Sequence, residues 1–137
     1  MAVKRMDNVG IVVEDLEETI DFFHELGLEL EGRGTIEGEW AGRVTGPGDQ
    51  QVEVAMMRTP GGHSRVELSR FLRPPAVADH RNAPVNALGY LRVRFAVDDI
   101  DETRLKGSAI AARSSWAKSS SIRTCIGSAT SAGLKGF

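Results

Sequence analysis

The stretch that most constrains this chain is residues 6–30, MDNVGIVVEDLEETIDFFHELGLEL. Val9, Ile11 and Val13 alternate with Gly10 and Val12, the period of a strand with one face buried. Asp15 stands where a helix wants its N-cap, and Glu18 follows three residues later, the spacing of a capping box. Leu16, Ile20, Phe23 and Leu26 then recur at spacings of four, three and three, which puts them on one helical face. Gly27 follows directly, where the left-handed turn that ends a helix favours glycine. The stretch therefore predicts a strand, a tight junction, an amphipathic helix and the start of a second strand.

The same pattern returns about 85 residues later. Residues 89–97 read as a strand with Leu91, Val93, Phe95 and Val97 on one face. The acidic run Asp98-Asp99-Ile100-Asp101-Glu102 then opens a helix at its positive end. Between the two copies, strands are expected over residues 28–33, 39–44 (with Trp40), 51–57 and 65–71. Gly46-Pro47-Gly48-Asp49 and Pro60-Gly61-Gly62 supply turns, and a Gly-rich turn follows residue 33. Strands that follow one helix argue for an α+β fold with an antiparallel or mixed sheet, not an alternating βαβ fold. Residues 73–88 hold Pro74, Pro75 and Pro84 and read as a connection between modules.

Composition narrows the class. With 17 basic and 19 acidic residues, the charge balance points to neither a nucleic-acid partner nor an acidic tail. The single cysteine, Cys125, forbids an internal disulfide and suits a reducing compartment. No apolar run long enough to span a membrane occurs, and no signal-like segment opens the chain. A soluble cytoplasmic protein of one domain is expected.

These averages hide a break. Residues 1–107 carry all 19 acidic and 13 of the 17 basic residues; residues 108–137 carry four basic residues and no acidic one. Two serines precede the break, and eight follow it.

The opening resembles that of the vicinal oxygen chelate superfamily, the glyoxalase, bleomycin-resistance and extradiol-dioxygenase proteins. That family begins with a pattern like D-H-V-G-I-V-V-x-D-L, then a helix with paired phenylalanines, then L-G-(F/L). Asp7, Val9, Gly10, Ile11, Val12, Val13, Asp15, Leu16, Phe22, Phe23, Leu26, Gly27 and Leu28 fit it. The resemblance covers roughly residues 4–105. It implies two βαβββ modules, a first over residues 4–72 and a second starting at residues 89–107, whose curved sheets enclose a cleft. It also implies a homodimer and a small oxygenated ligand, without nucleic acid or membrane.

The family's metal site takes one ligand from each of four strands and uses a divalent ion to hold vicinal substrate oxygens. Carried over position by position, the first ligand is Asn8 where the family has His. The second is Glu67 in R-V-E-L-S-R-F, which matches the family's (I/V)-E-L-x-x-F. The third is Arg92, a cation that binds no metal. The fourth falls beyond the break. Glu67 is thus the candidate catalytic residue and metal ligand, or alternatively the ion-pair partner of Arg92. Arg92, Asn8, Trp40 and Met56 are candidate substrate contacts, although Trp40, Met56 and Met57 at strand spacing also suit a core. His24, His63 and His80 read as surface or loop residues without ligand spacing.

Three functions stay open: a glyoxalase-type lyase, isomerase or dioxygenase; a metal-free, drug-sequestering binding protein; and a truncated, inactive member. The tail bears on the last. Read one nucleotide earlier, suitable codons for residues 113–137 spell strand-like runs, a tyrosine-rich middle and an R-G-P-E-G-I turn, resembling the family's missing closing strands. A frame change near residues 104–108, or a disordered tail over residues 108–137 with little regular sheet, is expected.

Overall fold

A computed structural model of the chain describes residues 2–38, 49–77, 88, 93–99, 101–102, 105 and 125–128. The chain divides into two compact units, Met1–Ala78 and Asp79–Phe137.

The first unit follows the expected junction closely. Strand β1, Val9–Val12, leads to Asp15, whose extended backbone frees its carboxylate to accept the Glu18 N–H at 2.9 Å. A cap of this kind stabilises a helix by about 1 kcal/mol. Helix α1 spans Leu16–Glu25. Thr19 is fully buried on it, and its hydroxyl is satisfied by donating to the Asp15 carbonyl at 2.6 Å. Gly27 takes φ 100°, a left-handed value that glycine adopts without a Cβ clash. It lets Gly27 N–H reach the His24 carbonyl and Leu28 N–H the Phe23 carbonyl, satisfying two of the helix's last acceptors.

Three strands follow: β2, Glu29–Gly38; β3, Gln50–Arg58; and β4, Arg65–Arg73. They join β1 in one sheet of order β1-β4-β3-β2. β1 and β4 run parallel, whereas β4–β3 and β3–β2 are antiparallel. This is the mixed sheet of an α+β fold. The Gly-rich turn expected after residue 33 is not formed: Gly34, Thr35, Ile36, Glu37 and Gly38 continue the β2–β3 ladder down to Gln50. Glycines there are strand residues because an inter-strand ladder is made by backbone, which glycine also has. The strand expected over residues 39–44 lies outside the described residues.

Residues paired across neighbouring strands share a face of the sheet. On one face lie Ile11, Leu68 and Ala55 in one row and Val66 and Met57 in the next. Helix α1 packs on this face with Leu16, Ile20, Phe22 and Phe23 buried. Leu68, Ala55 and Met57 are fully buried and Phe23 nearly so, which places the hydrophobic core of the unit between helix and sheet. Burying one such large side chain stabilises the fold by roughly 1.5–3 kcal/mol.

In the second unit, β5 (Arg94–Val97) pairs in parallel with β6 (Cys125–Ser128). Asp101 and Glu102 are helical, and both their N–H groups donate to the Asp99 carboxylate. Residues 108–124 and 129–137 lie outside the described residues. β6 is the described part of the stretch expected to hold little regular sheet.

Candidate functional site

The face of the first unit's sheet turned away from α1 carries the candidate residues. The registers lay it out as rows across the four strands. Gly10, Glu67, Met56 and Gly32 form one row, and Val12, Ser69, Val54 and Gly34 the next. Phe71, Val52 and Ile36 form a third. The face is therefore apolar, with one carboxylate near its middle and glycines at both flanks. A Cβ built on Gly10, Gly32 or Gly34 would meet nothing within 4 Å, whereas Val52 and Ser69 of the same face are buried. Val12 is 57% exposed, which leaves an apolar side chain presented to a ligand or partner.

Glu67 is held from two sides. The Asn8 side-chain amide, just ahead of β1, donates to Glu67 Oε2 at 3.0 Å. The hydroxyl of Ser69, two residues along β4 on the same face, donates to Oε1 at 3.3 Å. Asn8 and Glu67 are half-buried and Ser69 is buried. A carboxylate accepts only, so the Asn8 amide must turn its NH2 towards Glu67 and its carbonyl oxygen away. The result is a cluster of oxygen acceptors (the remaining lone pairs of Glu67 and the carbonyl of Asn8) on an apolar floor.

Two described cations on this face, Arg58 and Arg65, are paired. Arg58 donates twice to Glu29, and Arg65 grips both oxygens of Glu31 at 2.6 and 2.8 Å. The hydrogen bond from Arg65 is the main reason the Glu31 carboxyl is held below its ordinary value, and Glu31 in turn raises Arg65. Both bridges sit at the end of the face beside the β3–β4 turn.

Of the sequence-predicted residues, the structure brings Asn8 and Glu67 together and sets Met56 directly across the ladder from Glu67. Arg92 and Trp40 lie outside the described residues, as does His80. The partners of Glu67 among the described residues are Asn8 and Ser69, an amide and a hydroxyl. Ser69 was not singled out by sequence reasoning; its place two residues after Glu67 on an alternating strand is the signal that finds it. Met57 belongs to the core and not to this face. His24 and His63 are exposed.

The divalent ion implied by family resemblance needs several oxygen or nitrogen ligands converging on one point. Among the described residues no three His, Cys, Asp or Glu side chains come together. Asn8, in the position of the family's first histidine, presents N–H to the one carboxylate instead of a lone pair to an ion. The residues described here do not fit a tightly held metal.

Comparison with known proteins agrees with the fold. A family model described as Glyoxalase/Bleomycin resistance protein/Dioxygenase superfamily matches residues 7–118. The crystal structure of a glyoxalase family protein from Bacillus cereus is 66% identical with a TM-score of 0.76, the match covering 80% of this chain and 73% of that one. A second crystal structure, of SMU.1112c, shares the fold at 18% identity and a TM-score of 0.52, covering 80% of this chain and 77% of that one. No curated protein matches. Among the described residues no helix is long and apolar enough to cross a membrane. The junction of β1 with α1, the βαβββ order of the first unit and these matches agree: the chain belongs to the glyoxalase, bleomycin resistance protein and dioxygenase superfamily.

Proposed function

We infer that the chain is a small-molecule-binding member of this superfamily, which holds a small oxygenated ligand against the sheet face of its first unit turned away from α1, without a bound metal. The observation that supports this reading is the Asn8–Glu67 hydrogen bond at 3.0 Å. It joins the two first-module ligand positions of the family to each other. The apolar floor of Val12, Val54 and Met56 gives such a ligand area to bury, and few polar groups set its orientation, the usual makeup of a small-molecule site.

A second reading, a glyoxalase-type lyase or isomerase, draws on Glu67 itself, the one family ligand retained in the described residues, and on the 66% identity to a glyoxalase family protein. In that reading Glu67 is the catalytic carboxylate. In both readings the protein acts as a homodimer in the cytoplasm, the first drawn from the family and the second from the single cysteine.

Metal analysis separates the two readings. The purified chain is expected to retain no stoichiometric divalent ion and to bind its ligand equally with and without a chelator. Asn8→His, which places an imidazole lone pair beside Glu67, is expected to gain affinity for zinc or nickel ions in calorimetry. Stoichiometric metal in the unaltered protein, lost together with ligand binding on chelation, would instead establish the enzyme reading.

A further inference from the structure

The two hydrogen bonds on Glu67 fall on different oxygens, and that division has a physical consequence. The last torsion of a glutamate side chain is broad and roughly two-fold, so one hydrogen bond leaves the carboxylate free to swing. Here the Asn8 amide donates to Oε2 at 3.0 Å and the Ser69 hydroxyl donates to Oε1 at 3.3 Å. A donor on each oxygen holds the plane of the group. The two donors differ in how firmly they are themselves fixed. Asn8 is half-buried and lies ahead of β1, next to the exposed residues 2–7. Ser69 is buried in β4, between β1 and β3, with Val12 and Val54 as its ladder neighbours. Its backbone carbonyl accepts the Val13 N–H at 2.9 Å, which ties it to the β1–α1 junction. A hydroxyl withdrawn from solvent needs a protein partner, and a carboxylate two residues along the same strand lies on the same face.

We propose that Ser69 is a positioning residue of this site: its hydroxyl, anchored in the sheet interior, sets the orientation in which Glu67 meets Asn8 and the ligand. Ser69 acts through Glu67 and not on the ligand itself. With the hydroxyl in place, the Glu67 carboxylate loses its torsional freedom on folding, ahead of ligand binding. Ordering that side chain is then no longer a cost of association. Without the hydroxyl, the Asn8 bond holds the carboxylate alone. This inference rests on the small-molecule reading above, in which Glu67 meets the ligand, and adds the residue that orients it.

The Asn8 side-chain amide reports this orientation with no ligand present. Its exchange with water is followed on the full chain by NMR saturation transfer, with the urea midpoint measured alongside. Ser69→Ala is expected to exchange about tenfold faster, the protection given by roughly one hydrogen bond. Ser69→Cys fills the same space with a weak donor and is expected to behave like Ser69→Ala. Ser69→Thr returns a hydroxyl and is expected to restore slow exchange. Ile20→Val, which trims the core on α1, is the control for general loosening: it lowers the urea midpoint and leaves the Asn8 signal unchanged. Slow exchange retained in Ser69→Ala and Ser69→Cys would overturn the positioning role, as would fast exchange in a folded Ser69→Thr. An equal acceleration in Ile20→Val would overturn it too. None of these results touches the small-molecule reading. Stoichiometric metal in the unaltered protein would overturn that reading and leave the effect of Ser69 on Asn8 standing.

Discussion

The two units of the chain begin alike, and their described sheets differ in extent. Each has a strand, then an aspartate that accepts N–H groups of the following helical turn: Asp15 in the first, and Asp99, 84 residues later, in the second. Each also pairs that first strand in parallel with a later one. In the first unit Val9 faces Val66, and the intervening chain supplies a helix and two strands that complete the sheet. In the second unit Arg94 faces Cys125 across a shorter interval, and the described sheet has two strands. Local signals start a module, but a module is closed by the strands between its first and last, and those depend on a long run of correctly patterned sequence.

The comparison is most open to change at the tail. We propose that the coding sequence read one nucleotide earlier from a point near residues 104–108 encodes closing strands for the second unit. Sequencing the gene against the intact mass of the protein from its source decides this. A mass matching the 137-residue chain would end the idea and make the difference between units a property of the protein.

Next in size is the core of the first unit. Phe23→Ala removes a ring that is 1% exposed and is expected to cost about 3–5 kcal/mol in urea unfolding. Hydrogen exchange on the same samples sharpens the contrast. Amides of β3 and β4 are expected to exchange most slowly in the first unit, because they are the central strands of a sheet packed on α1.

The two capping aspartates give a smaller and more direct comparison. Asp15→Ala is expected to destabilise the chain by about 1 kcal/mol. Asp99→Ala should leave the main urea transition, which reports the first unit, unchanged. Equal losses from both variants would show that the units unfold as one.

The smallest effect is the pH dependence of the bridge between Glu31 and Arg65. The folded Glu31 carboxyl lies below its ordinary value of 4.5, so its contribution is present above that value and is lost as pH falls through the lowered one. Glu31→Gln is expected to lower the melting temperature slightly at pH 7 and to match the unaltered protein only once the pH has fallen below the lowered Glu31 value. Added salt should shrink the difference, as both side chains reach solvent.

How far the sequence carried these conclusions differs from element to element. The β1–α1 junction was legible because its signals are local: alternation, a cap three residues from its partner and a glycine at the helix end. The length of β2 was not, because Gly32, Gly34 and Gly38 speak for a turn when taken alone. Their strand state comes from pairing with β3, which no local signal records. β6 was hidden for the same reason, as Cys-Ile-Gly-Ser has little alternation and owes its state to a strand 31 residues earlier. The pairing of Asn8 with Glu67 joins residues 59 apart. The family pattern put both on a site, but only the folded register shows that they bond to each other.

The glycines of the face turned away from α1 have one more consequence. They make changes on this face and changes in the core separable. Gly10, Gly32 and Gly34 face away from α1 and its core, and a side chain added at each would enter free space. This face can therefore take single additions, one methyl group at a time, without disturbing Phe23, Met57 or Leu68 beneath it. A scaffold of that kind diversifies by filling vacant ground, a gentler route than carving new space out of a packed interior.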